Sequence, residues 1–107
     1  MIDRNLFPVN SFLFRRSIYD LVGGYDETLP VLGDWLVNME FLLRANIGVV
    51  REPLAFYHHR DSAEHTAPEY RNTVINGLGL HEKYTTIVRN DFLRRNLGHS
   101  AIAFRMA

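Results

Sequence analysis

Residues 29–45 read Leu-Pro-Val-Leu-Gly-Asp-Trp-Leu-Val-Asn-Met-Glu-Phe-Leu-Leu-Arg-Ala, and this stretch leaves the chain little freedom. A proline-containing loop gives way to Gly33-Asp34-Trp35 and then to a run with helical periodicity. Leu32, Leu36, Met39 and Leu43 fall at i, i+4, i+7 and i+11, and Trp35 and Leu42 widen the stripe, so one helix face is committed to a core. Asp34 and Asn38 lie together off that stripe. A carboxylate at a helix entrance is placed either to cap the helix and favour its dipole, or to act as a base held on a rigid element.

With 107 residues the chain supports one domain with a modest core. Its 47% apolar and 22% charged composition is that of a globular segment rather than a disordered one. Twelve basic and twelve acidic residues cancel, which removes the electrostatic case for a nucleic-acid partner. The lack of cysteine excludes disulfides, zinc-thiolate sites and thiol catalysis, and fits a reducing compartment. No apolar run is long enough for a transmembrane segment, and Met1-Ile2-Asp3-Arg4 lacks the order of a signal peptide. The expectation is a cytoplasmic protein, with membrane association only through a partner or a missing segment.

Before the central helix, Ser11-Phe12-Leu13-Phe14 has strand propensity, and Ser17-x-x-Asp20 has the spacing of a capping box. A short helix is therefore predicted from Ser17 to Gly23-Gly24, where glycine can turn left-handed. After the central helix, Ile47-Gly48-Val49-Val50 reads as a strand, Pro53 as a break, and Leu54-Ala55-Phe56-Tyr57-His58-His59 as a second extended run. Alternation puts Tyr57 and His59 on one face and Phe56 and His58 on the other. Thr66-Ala67-Pro68-Glu69 looks like another capping box. Tyr70, Val74 and Leu78, then Leu80, Tyr84, Ile87, Val88 and Phe92, form stripes of one kinked helix or of two meeting near residue 79 and ending at Gly98.

The succession Val22-Gly23-Gly24-Tyr25-Asp26-Glu27, loop, Gly33-Asp34-Trp35, Glu52-Pro53-Leu54, Tyr57-His58-His59-Arg60 resembles the acceptor-side half of family 2 glycosyltransferases, which have a GT-A-type fold. The match spans roughly residues 5 to 62. Residues 29–35 are especially similar to bacterial enzymes that build surface polysaccharides. The resemblance implies an α/β class, a Rossmann-like fragment with a few strands and a helical C-terminal arm. It divides the chain into an acceptor-side part at 1–62, a helical extension at 63–98 and a tail at 99–107.

It further implies that Asp34 is the catalytic base, that Trp35 and Tyr25 shape or stack on the acceptor, and that His59, or else His58, binds a divalent metal, Mg or Mn, in the complete enzyme. The partners would be a nucleotide sugar and a saccharide acceptor, joined by an inverting transfer. Two positions depart from the family pattern. Gly33 stands where an acidic residue is common and Glu40 where an arginine is common. The family's nucleotide-sugar half carries an Asp-x-Asp motif, which occurs nowhere in these residues. The chain by itself is therefore expected not to turn over a nucleotide sugar. The alternative is a non-catalytic interaction module, a homodimer formed through exposed apolar surface.

Overall fold

A computed structural model describes residues 1–59 and 77–98. Within them lie a 3₁₀ turn at Val9–Ser11 and three helices, α1 at Arg16–Val22, α2 at Gly33–Arg44 and α3 at Leu78–Asn96. The expected second capping box and the stripe residues Tyr70 and Val74 fall outside the described residues.

The expected α/β class is corrected. Among the described residues there is no strand and no sheet, and the architecture is all-α. The run at 11–14 fails as a strand because Ser11 closes the 3₁₀ turn, its N–H and its hydroxyl both donating to the carbonyl of Pro8 at 2.9 and 2.8 Å. Local side-chain bonding of this kind competes with sheet pairing. Residues 46–59 run without a ladder, and Val49, Leu54 and Phe56 are exposed. Strand propensity measures fit to a half-buried pleated surface, and among the described residues no neighbouring strand supplies that surface.

Helix α1 stops where glycine allows it. Gly23 (φ 85°) and Gly24 (φ 77°) are left-handed, and their N–H groups donate to the carbonyls of Asp20 and Tyr19 at 3.3 and 3.1 Å, the paired pattern of a Schellman stop. Its start differs from expectation. Arg15 is the N-cap without a side-chain bond, and Asp20 instead accepts from Arg16 Nε at 2.8 Å.

Helix α2 is the centre of the molecule. Trp35, Leu36 and Met39 pack with Val88 and Phe92 of α3 to form the buried core. The stripe along α3 is narrower than the sequence indicates, since Leu80 and Ile87 are exposed. Glu40 closes the far end of this pair: its carboxylate accepts from Arg44 one turn on and from Asn96 Nδ2 of α3 at 2.9 Å. On the opposite side Phe14 joins the helices, 5.1 Å from the Phe41 ring and stacked at 5.5 Å on Tyr19. No helix of the described residues is long and apolar enough to cross a membrane.

Candidate functional site

The loop before α2 enters the helix through Leu32, whose left-handed φ of 65° is unusual for a residue with a side chain. Its carbonyl receives the N–H of Leu36 at 3.1 Å, so the first helical bond closes on a turned residue. Leu32 is thus the N-cap, and it makes no side-chain cap bond. Asp34 falls inside the first turn rather than before it. A carboxylate there gains from the helix dipole by roughly 0.3–1 kcal/mol.

The Asp34 side chain turns away from its own helix end. Its Oδ2 accepts a hydrogen bond from Nδ2 of Asn5 at 2.8 Å. Asn38, one turn along α2 and buried, donates from Nδ2 to Asn5 Oδ1 and to the Phe7 carbonyl, both at 3.3 Å. The Phe7 N–H also donates to Asn5 Oδ1, at 3.3 Å. Two residues of α2 therefore pin the N-terminal segment across the helix entrance. Trp35 adds a third tie, its Nε1 donating to the Met1 carbonyl at 2.8 Å.

Between this segment and α3 lies a cavity of about 440 Å³, with Asp34, Asn5, Tyr57, His81 and Thr85 in its wall. His81 and Thr85 are there because they stand at i−7 and i−3 to Val88 on the α3 face that meets α2. Thr85 directs its hydroxyl to the His81 carbonyl at 2.7 Å. Tyr57 is brought to the rim by the preceding residue, because Asn10 Nδ2 donates to the Phe56 carbonyl at 2.6 Å.

The residues singled out from sequence fall in different places. Asp34 lines the cavity. Trp35 is part of its wall but only 1% exposed, so its indole contributes shape from within the core. Tyr25 lies outside the cavity wall, its ring 3.8 Å from where a Cβ on Gly33 would be. Burial raises its phenol pKa first, and the nearby Asp34 charge and Tyr19 raise it further. His58 and His59 are exposed, and the His59 ring meets Tyr57 edge-on at 5.5 Å.

Among the described residues no three histidine, aspartate or glutamate side chains converge in a way that could hold a metal. His59 would bring one ligand from the described residues.

Sequence reasoning assigned no role to Asn5, Tyr57, His81 or Thr85. The pairing of Asp34 with Asn38 on one side of α2 was a signal for part of the site. Asn5 sends its bond across 29 residues, and nothing local marks it.

No protein-family model matches this chain, and comparison with curated proteins and with solved structures gives no match.

Proposed function

We propose that the cavity beside Asp34 is the acceptor site of an inverting glycosyltransferase that moves a sugar from a nucleotide sugar onto a saccharide, in the synthesis of a surface polysaccharide in the cytoplasm. One observation carries this reading: a carboxylate on the first turn of a rigid helix opens into a half-enclosed, mixed polar and apolar space of saccharide size. The motif resemblance around residues 22–60 supports it. The nucleotide sugar would be held by a unit outside these 107 residues.

In that reaction an acceptor hydroxyl oxygen attacks the anomeric carbon of the donor. The bond from that carbon to the diphosphate breaks, the nucleoside diphosphate leaves with the electron pair, and the hydroxyl proton passes to Asp34. Tyr57, aromatic and half-exposed at the rim, offers a face for the sugar ring to pack on. Thr85 and His81 line the opposite wall with polar atoms.

In the protein as its gene encodes it, Asp34→Asn should reduce release of nucleoside diphosphate from nucleotide sugars by about 10²–10⁴-fold, the usual worth of a positioned base, while nucleotide-sugar binding is retained. Undiminished turnover would sink the assignment.

A second reading has its own observation. A groove of about 1160 Å³ on the other side of α2 is lined by Phe12, Phe14, Ile18, Phe41, Val49 and Leu54, with Leu13 and Leu21 exposed along it. An apolar surface of this extent suits association with a second copy of the chain.

A further inference from the structure

The polar groups behind Asp34 have a direction, and the backbone sets it. The Phe7 N–H can only donate, so the Asn5 atom it meets at 3.3 Å is the carbonyl oxygen Oδ1. The Phe7 carbonyl can only accept, so Asn38 presents its Nδ2 there, at 3.3 Å. With both amides oriented in this way, Asn38 Nδ2 donates to Asn5 Oδ1 at 3.3 Å, and Asn5 Nδ2 donates to Asp34 Oδ2 at 2.8 Å. The bonds from the Phe7 N–H and from Asn38 into Asn5 Oδ1, and from Asn5 into Asp34, run toward the carboxylate, while the Asn38 bond to the Phe7 carbonyl branches to the backbone.

The series is also complete. Asn38 is 5% exposed, and among the described residues no buried side-chain nitrogen or oxygen lacks a partner. A half-buried network of this kind holds its rotamers, because turning either amide breaks its bond to the Phe7 backbone. One carboxylate oxygen, Oδ2, is therefore occupied as an acceptor. Among the described residues no side chain donates to the other, Oδ1.

We propose that Asn5, oriented by Asn38 and the Phe7 backbone, is the positioning residue that holds the Asp34 carboxylate through Oδ2 and leaves Oδ1 without a side-chain donor among the described residues, so that the cavity takes a ligand by a donating hydroxyl. The hydroxyl ligand rests on the reading of the cavity as a saccharide site; the amide relay does not. Asn5→Asp reverses this one bond and sets a like charge beside Asp34. It is isosteric and keeps an oxygen for Phe7 and Asn38, but it turns the bond to Asp34 from donor–acceptor into acceptor–acceptor.

The test is nuclear magnetic resonance on the full chain, with the backbone amides of Val88 and Phe92 reporting that the core is intact. The Asn5 side-chain amide pair should lie away from its free position in the native chain and return toward it in Asp34→Ala. In Asn38→Leu its exchange with water should quicken by about tenfold, the equivalent of one hydrogen bond. If core packing is lost in that variant, Asn5→Asp supplies the same comparison through the Asp34 carboxyl carbon, whose resonance should move while Val88 and Phe92 stay. An Asn5 amide at its free position in the native chain, or one unmoved by Asp34→Ala, would overturn the relay.

The ligand half is read with methyl glucoside, galactoside, mannoside and rhamnoside as probes. Binding to the native chain that weakens by about tenfold in Asn5→Asp supports the positioning role. Equal binding by the two overturns it. If none of the glycosides binds the native chain, the saccharide reading fails and the hydroxyl ligand with it, whereas the amide signal still decides the relay.

Discussion

At the scale of single residues, the entrance of α2 shows how a charge is placed without a cap. Asp34 has the position of a first-turn acid, yet its oxygen is bonded to Asn5 and not to its own helix end. A carboxylate used as a cap spends its lone pairs on the backbone, whereas one held from the side by an amide keeps a lone pair for a ligand. Asp26 shows the contrasting case. Its carboxylate accepts from the Thr28 hydroxyl at 2.6 Å and from the Thr28 N–H at 3.0 Å, and these bonds, the hydroxyl first, hold its pKa below the usual carboxylate value. Since the folded value is the lower one, the interaction stabilises the chain above the unfolded value and is lost as pH falls through the folded value. Asp26 is half-buried in a surface turn, so solvent screening keeps the effect small. In Thr28→Val the hydroxyl bond goes and the N–H bond stays, so the Asp26 carboxyl should titrate at a higher pH than in the native chain, short of the full return. Carbon-13 detection of the side-chain carboxyl follows it directly; an unchanged midpoint would show that the hydroxyl is not what lowers it.

At the scale of elements, what could be read from sequence divides along one physical line. Helices close their hydrogen bonds within themselves, so the periodicity of 32–43 and the glycine pair at 23–24 each marked a real boundary. Strands close theirs on a neighbour, and the apolar residues of 47–50 and 54–57 carry no information about whether that neighbour is present. The same limit applies to the site. Asp34 and Asn38 share a helix and were visible together, while Asn5, Tyr57 and Thr85 reach the cavity only through tertiary contacts. The stop of α1 offers an element-scale test, because its two glycines are required for different reasons. A Cβ on Gly23 would meet nothing within 4 Å, so Gly23→Ala costs only the left-handed strain, about 1–2 kcal/mol. A Cβ on Gly24 would lie 2.9 Å from the Tyr19 hydroxyl and 3.0 Å from its ring carbon. Gly24→Ala should therefore be the more destabilising by about a further 1 kcal/mol or more, as it also displaces a ring that packs on Phe14 and Tyr25. Urea unfolding of the two variants gives the comparison, and equal midpoints would show that Tyr19 moves aside at no cost.

At the scale of the whole molecule, α2 separates two surfaces of different character. On one side is the smaller cavity where Asp34 is held by amides, and on the other the broad apolar groove between α1, the end of α2 and residues 46–55. Phe41 and Asn38 extend from the helix toward the groove, so the element that positions the carboxylate also forms the groove's floor. Apolar surface exposed this widely is stabilised when a partner removes it from water, at about 25 cal/mol for each Å² buried. The formal net charge of zero offers no long-range repulsion to keep copies apart. The chain is therefore expected to self-associate as its concentration rises, with a mass by light scattering above the 12.4 kDa of the monomer. Leu13 and Val49 are 101% and 76% exposed in the monomer, so replacing both with lysine should leave stability within about 0.5 kcal/mol per site and place two like charges on each face that would meet its copy. The double variant should stay at 12.4 kDa under conditions where the native chain does not. A native chain that remains monomeric at high concentration would rule out a second copy as the groove's occupant, and the acceptor-site reading of the opposite face would stand unaffected.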